Sequence, residues 1–247
     1  MSYHSTLQYY EGINQLVNDK SGSMTSADLV IRSVNFEQYC KWMQNGEWDA
    51  ISNSLCAEAC ELAYDMHCDY IAIATNTMHK VAEDIEGAIS GRRADGVQPH
   101  LVHIGDCVAE KCKKNRVRRI VLLGTRFTMT DSFMKSRLRQ NGLEIVDNFT
   151  GAEISIIDHI IFNELCKGEV KPESKETVLD IVSQANSYDL DAGGSGIEGV
   201  ILGCTELGML LESGPMMITW SKQGRLLKFF DTTEAHIGKL AQLCLFY

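Results

Sequence analysis

Only three prolines, Pro99, Pro172 and Pro215, interrupt the 247 residues. So few breaks leave little room for long linkers. Basic residues are also scarce: 23 Lys and Arg stand against 33 Asp and Glu, a formal net charge of −10. That balance argues against non-specific nucleic-acid binding, which needs a basic footprint. It leaves an anionic small ligand possible, because a local field can oppose the net charge. No apolar run approaches the roughly 20 residues that cross a bilayer, and the N-terminus has no signal-peptide core. The expectation is a cytoplasmic protein with no membrane or nucleic-acid partner. Nine cysteines, an odd number in a long chain without an export signal, read as reduced thiols and not as a disulfide framework.

What is present is ordinary globular composition, 45% hydrophobic and 23% charged. The length allows one large core or two smaller ones. Short apolar runs at 27–34, 70–74, 119–124, 143–146, 200–203 and 226–230 read as strands. Helical patterns at 5–18, 50–67, 78–90, 106–115, 131–141, 153–167, 173–187 and 233–245 fall between them. This alternation predicts an α/β fold of parallel sheets covered by helices. Polar, Gly-rich patches at 90–100, 189–199 and 213–225 read as loops, the second as a surface insertion. Asp231-Thr232-Thr233, followed by Glu234, can cap the last helix. The C-terminal strand and helix could then return to the first half. Cys56, Cys60, His67 and Cys68 lie close in sequence, but Leu55, Ala59, Leu62, Ala63 and Met66 recur there at helical spacing. No second ligand pair matches, so the metal expectation is none.

Each half has an apolar strand that stops abruptly at polar residues. "IAIATNTMHK" (71–80) ends in Thr75-Asn76-Thr77, and "GVILGCTELG" (199–208) ends in Cys204-Thr205-Glu206. In open α/β sheets ligands collect at such carboxyl ends of strands. Two facing halves would form a cleft lined by both motifs.

These residues resemble the cofactor-independent aspartate/glutamate racemases. The resemblance is carried by "TNTMHKVAEDIE", "LLGTRFTM", "IIFNELCKGEV", "GVILGCTELGMLL" and "FDTTEAH". "MSYHSTLQYY" and "SVNF" extend it, so that it covers most of the chain in order. It implies two pseudo-symmetric α/β domains, expected here at 1–98 plus 208–247 and at 99–207, with the active site in the cleft between them. It implies inversion by two opposed acid/base residues, without pyridoxal phosphate, metal or other cofactor. Cys204 matches the second cysteine of the family. The first falls on Thr75, where most relatives have cysteine. Relatives also begin with a strand and a glycine turn before the block matched by Met1-Ser2, so the first domain is expected to lack one parallel strand.

A thiol suits α-proton transfer because its reference pKa, about 8.5, leaves some thiolate near pH 7. A threonine hydroxyl is far less acidic, close to water itself. Cys204 is therefore the expected base, and Thr75 a hydrogen-bond donor or a relay through water. Glu206 or His236 could assist the thiol. Carboxylates and developing enolate charge need donors, and the resemblance carries substrate contacts to Ser5, Asn76, Thr77, Thr125, Thr128 and Thr205. Arg126 reads equally as a carboxylate partner or a solvated side chain. Met78 and His79 read as packing residues at a helix entry, and His103 has no assigned role. The 213–225 segment with Met216, Met217 and Trp220 reads as a surface excursion or oligomer contact; the family habit implies a homodimer. The leading function is racemisation of aspartate or glutamate. The alternatives are a one-cysteine decarboxylase or isomerase of the same superfamily, or a weakened dicarboxylate-binding relative.

Overall fold

Ser2 accepts a hydrogen bond from the Ser5 amide and so starts the first helix, α1 (Tyr3–Ser21). The structure, a computed structural model, describes residues 2–22, 24–218 and 225–245. Met1, Trp220 and the side chains of Met216 and Met217 lie outside what is described. Packing divides the chain into two units, residues 1–104 with 236–247 and residues 105–235.

In the first unit, Ser5, Tyr9, Ile13 and Val17 recur every fourth residue and form the buried face of α1. Tyr9, Ile13 and Val17 pack against Ile237 and Ala241 near the C-terminus. The run at 27–34, expected as a strand, is extended chain outside both sheets. A helix not expected from the sequence follows, α2 (Phe36–Asn45). Asn35 caps it, and Gly46 ends it in the left-handed region at φ 74°. Helix α3 (Trp48–Cys60) runs on into a π turn at Glu61–Asp65. Two short strands, β1 (Tyr70–Ala72) and β2 (His100–Val102), pair in parallel. Between them lie a 3₁₀ turn at Thr77–Val81 and α4 (Ala82–Ala88). Ile51, Leu55, Ile71, Ile73, Met78 and Ile85 build the core of this part.

Among the described residues β1 has β2 as its single neighbour. A groove of about 480 Å³ borders β1, lined by Ile13, Leu29, Ile31, Ile71, Ile73 and Leu240 among others. Ala72, the last residue of β1, is exposed.

The second unit is the fuller α/β layer. It contains α5 (Ile104–Lys114), β3 (Arg119–Leu123), α6 (Arg126–Thr130), α7 (Ser132–Gln140), β4 (Glu144–Ile145), α8 (Gly151–Asn163) and α9 (Pro172–Asp191). Then follow β5 (Gly199–Leu202), α10 (Leu207–Leu210), β6 (Gly214–Ile218), β7 (Arg225–Asp231) and α11 (Thr232–Cys244), whose residues from His236 group with the first unit. The sheet order is β4-β3-β5-β7-β6. The first four strands are parallel and β6 is antiparallel at the edge. An edge is where Pro215, lacking a backbone N–H, is tolerated in a strand.

The C-terminal strand of the sequence reading, β7, is thus hydrogen-bonded to β5 in this second sheet. Central strand β5 is buried throughout. Val121, Leu123, Val200 and Leu202 pack with Ile157, Val178 and Val182 of the helices. Each such side chain contributes about 1.5–3 kcal/mol by leaving water. That rigid layer holds the strand ends where the polar residues begin.

Candidate active site

The carboxyl ends of β3 and β5 lie side by side, because the Gly203 amide donates to the Leu123 carbonyl at 2.6 Å. Glycine is required at this junction. A Cβ on Gly203 would sit 2.9 Å from the Leu123 oxygen and 3.0 Å from Thr128 Cγ2, and one on Gly124 would sit 3.1 Å from the Gly203 oxygen. Two turns therefore start from one point, bringing Thr125 and Thr128 beside the chain that carries Cys204 and Thr205. Thr125 occupies the N-cap position of α6, yet its side chain makes no capping bond. Its Oγ1 instead lies 3.3 Å from Thr128 Oγ1. Turn chemistry does not account for these hydroxyls.

Cys204 is buried, and its Sγ donates to Glu206 Oε2 at 2.9 Å. Thr205 Oγ1 donates to the same oxygen at 2.5 Å. Glu206 thus gathers a thiol and a hydroxyl on one carboxylate oxygen. Thr232 Oγ1 donates to the Leu202 carbonyl at 2.8 Å, tying the start of α11 to the end of β5. Asp231 Oδ1 accepts from the Thr233 and Glu234 amides at 2.6 and 3.1 Å, the cap expected for that helix.

Burial pushes the Cys204 thiol well above its ordinary range, and the Glu206 charge with its hydrogen bond pushes it further. The expectation of a partly ionised thiol near neutral pH is corrected here: the resting side chain is protonated. The reason is tertiary, since a thiolate at this position would lose its water and face a carboxylate. One consequence can be measured. Glu206→Gln removes the charge, so Cys204 should ionise at lower pH. Peptide-resolved alkylation against pH reads this directly; an unchanged or raised midpoint would rule out Glu206 as the cause.

Apart from Arg126, the remaining predicted residues lie in the first unit. Thr75, just after β1, is half-buried; its amide donates to the Ile73 carbonyl at 2.8 Å. Asn76 is buried, and Thr77 opens the 3₁₀ turn. Ser5 is buried on α1, with its Oγ 3.1 Å from Ser2 Oγ. Arg126 is exposed, and its guanidinium donates to Ser155 Oγ at 2.8 Å, so the solvated reading holds. Expected as packing, His79 is buried and polar-bonded on both ring nitrogens, to the Thr75 carbonyl and the Ile104 amide. His236 does not approach the thiol by any described bond. It belongs to the first unit, bonded to Tyr9 and Val102.

A family model described as Asp/Glu/hydantoin racemase matches residues 1–239. A candidate Asp/Glu racemase from Yersinia pestis is similar to this chain at 30% identity, covering 99% of this chain and 96% of its own, with TM-score 0.80. An aspartate racemase homologue from Pyrococcus horikoshii OT3 is similar at 33% identity, covering 98% and 95%, with TM-score 0.73. An aspartate racemase from Picrophilus torridus shares the fold, at 16% identity and TM-score 0.54 over 97% and 89%.

Proposed function

Because the chain belongs to the Asp/Glu/hydantoin racemase family, we propose that it interconverts the enantiomers of an acidic amino acid, aspartate or glutamate, without a cofactor. The observation that carries this reading is the Cys204–Glu206 pair at the end of β5, a buried thiol with its own proton acceptor 2.9 Å away. Cys204 serves one face of the α-carbon and Thr75 the other, and both act on the one substrate.

The thiol proton first passes to Glu206. The resulting thiolate takes the α-proton, forming S–H and leaving an enolate-like carbanion. A proton then arrives at the opposite face from the Thr75 side. A hydroxyl with the acidity of water gives up a proton only while it receives one, so the Thr75 step runs through a water that supplies the replacement, and the proton held on Glu206 passes back through solvent to the hydroxide this leaves. The reverse direction retraces these steps: the α-proton leaves through Thr75 to that hydroxide, the Cys204 thiol protonates the carbanion, and Glu206 returns its proton to the thiolate. Thr125, Thr128 and Thr205 offer hydroxyls, and Asn76 and Thr77 an amide and a hydroxyl, to the carboxylates and the developing charge. Ser5 is assigned to the same role.

Enantiomers have equal free energy, so kcat/KM must be equal in the two directions whatever the acidity of Thr75. The asymmetry appears in isotope washout. In D2O, L- and D-Asp and L- and D-Glu are followed by NMR for loss of the α-proton. Exchange with inversion supports a racemase. Exchange with retention would leave Cys204 working alone, as a one-cysteine relative would, and absence of exchange overturns the reading.

Thr75→Cys is expected to raise turnover by about 10²-fold, the lower end of what a well-matched acid/base contributes. Racemisation rates of the two proteins at saturating substrate test this. An unchanged rate would show that threonine is not limiting.

A further inference from the structure

Resting on the racemase reading, we propose that His79 is a positioning residue for Thr75: a neutral imidazole of fixed tautomer that holds the Thr75 peptide and thereby the direction in which its hydroxyl is presented.

The geometry allows one protonation pattern. His79 Nε2 lies 3.2 Å from the Ile104 amide nitrogen, which can only donate. That ring nitrogen must therefore carry a lone pair. Nδ1 lies 2.8 Å from the Thr75 carbonyl oxygen, which can only accept, so Nδ1 carries the hydrogen. Protonating Nε2 would set one N–H against another. The Thr75 peptide is then held from both sides: its amide donates to Ile73 and its carbonyl accepts from His79.

The surroundings support the neutral form. His79 is buried in a layer of other rings. His103 lies with its ring centroid 4.5 Å away and His236 at 6.1 Å. Beyond them Tyr9 Oη is 2.7 Å from His236 Nδ1, and His236 Nε2 donates to the Val102 carbonyl at 2.8 Å. His236 and His79 also hold Val102 and Ile104, one residue apart, at the last turn of the chain before it leaves the first unit.

A displacement of about 1 Å in a reacting group costs about 10²-fold in rate. His79→Leu removes both bonds and is expected to lower kcat by about that factor, with KM changed little. Asparagine places its amide nitrogen near the Nδ1 position, so His79→Asn should restore the bond to Thr75 and most of kcat. Equal losses in the two variants, or no loss in His79→Leu, would overturn the proposal. Long-range ¹H–¹⁵N spectra of the wild-type ring decide the matter independently of turnover. The Nδ1–H neutral form is the one expected. A ring that carries its proton on Nε2 would overturn the positioning role even in an active racemase. Should the protein fail to racemise, an Nδ1–H form and a Thr75 amide shift moved by His79→Leu but not by His79→Asn would still uphold the clamp.

Discussion

Cys204→Ala is expected to lose α-proton exchange from both enantiomers, by ~10³-fold or more, while keeping the fold. General acid–base groups contribute about 10²–10⁴-fold. Cys204 stands at the upper end because it takes part in both directions, as base toward one enantiomer and as acid for the other. The fold should tolerate the change. Cys204 packs at the edge of a cluster that includes Leu202, Leu207 and Leu210, and alanine leaves a void of one sulfur atom. Cys204→Ser is expected to fail almost as completely, since it keeps the shape and the bond to Glu206 but not an accessible ionisation. NMR exchange in D2O, with circular dichroism to verify folding, measures both. A folded alanine variant that kept a tenth of the exchange rate would remove Cys204 from the chemistry.

The second large effect is acid lability set by His236. Burial, aided by His79, holds this imidazole down to about 3 from an ordinary 6.5. The folded form stays neutral between those values, whereas the unfolded chain takes up a proton below about 6.5. Its contribution to stability is therefore complete above pH 6.5 and is lost as pH falls toward 3. The slope is about 1.4 kcal/mol per pH unit, hence roughly 2 kcal/mol between pH 6.5 and 5. His236→Gln keeps a donor for the Val102 carbonyl without a titrating ring. Urea unfolding at pH 7.5, 6 and 5 should show the wild type losing more stability than the variant across that range. Parallel lines for the two proteins would refute the assignment. Only the difference between the two proteins isolates the ring, because other buried groups also shift: Asp231 is raised by desolvation, and such a shift acts with the opposite sign.

Some elements were legible because their signal is local. Helix α8, read from the sequence at 153–167, starts at Gly151 with Thr150 as its N-cap, and Glu153 closes a capping box with it. β3 and β5 read as continuous apolar runs because both faces of a central parallel strand are covered. Other elements were not legible. The 27–34 run alternates like a strand, but a strand exists only where a partner offers its backbone, and none among the described residues does. β2, three residues long, and β6, containing Pro215, are too short or too irregular to stand out. Helix α2 did carry a usable sign: Asn35 before it, Gly46 after it, and Phe36, Tyr39 and Met43 at helical spacing.

By itself, the sequence determined that the chain alternates strand and helix, and that Thr75 and Cys204 stand just beyond apolar strands. Both follow from neighbours along the chain: side-chain periodicity, caps and the point where an apolar run stops. Only the tertiary structure decided the protonation of the thiol, the tautomer of His79, and the pairing of β7 with β5. These depend on groups brought close through space, such as Thr232 on the Leu202 carbonyl and the Ile104 amide on His79. Desolvation and hydrogen-bond direction are properties of that enclosure, and no reading along the chain contains them.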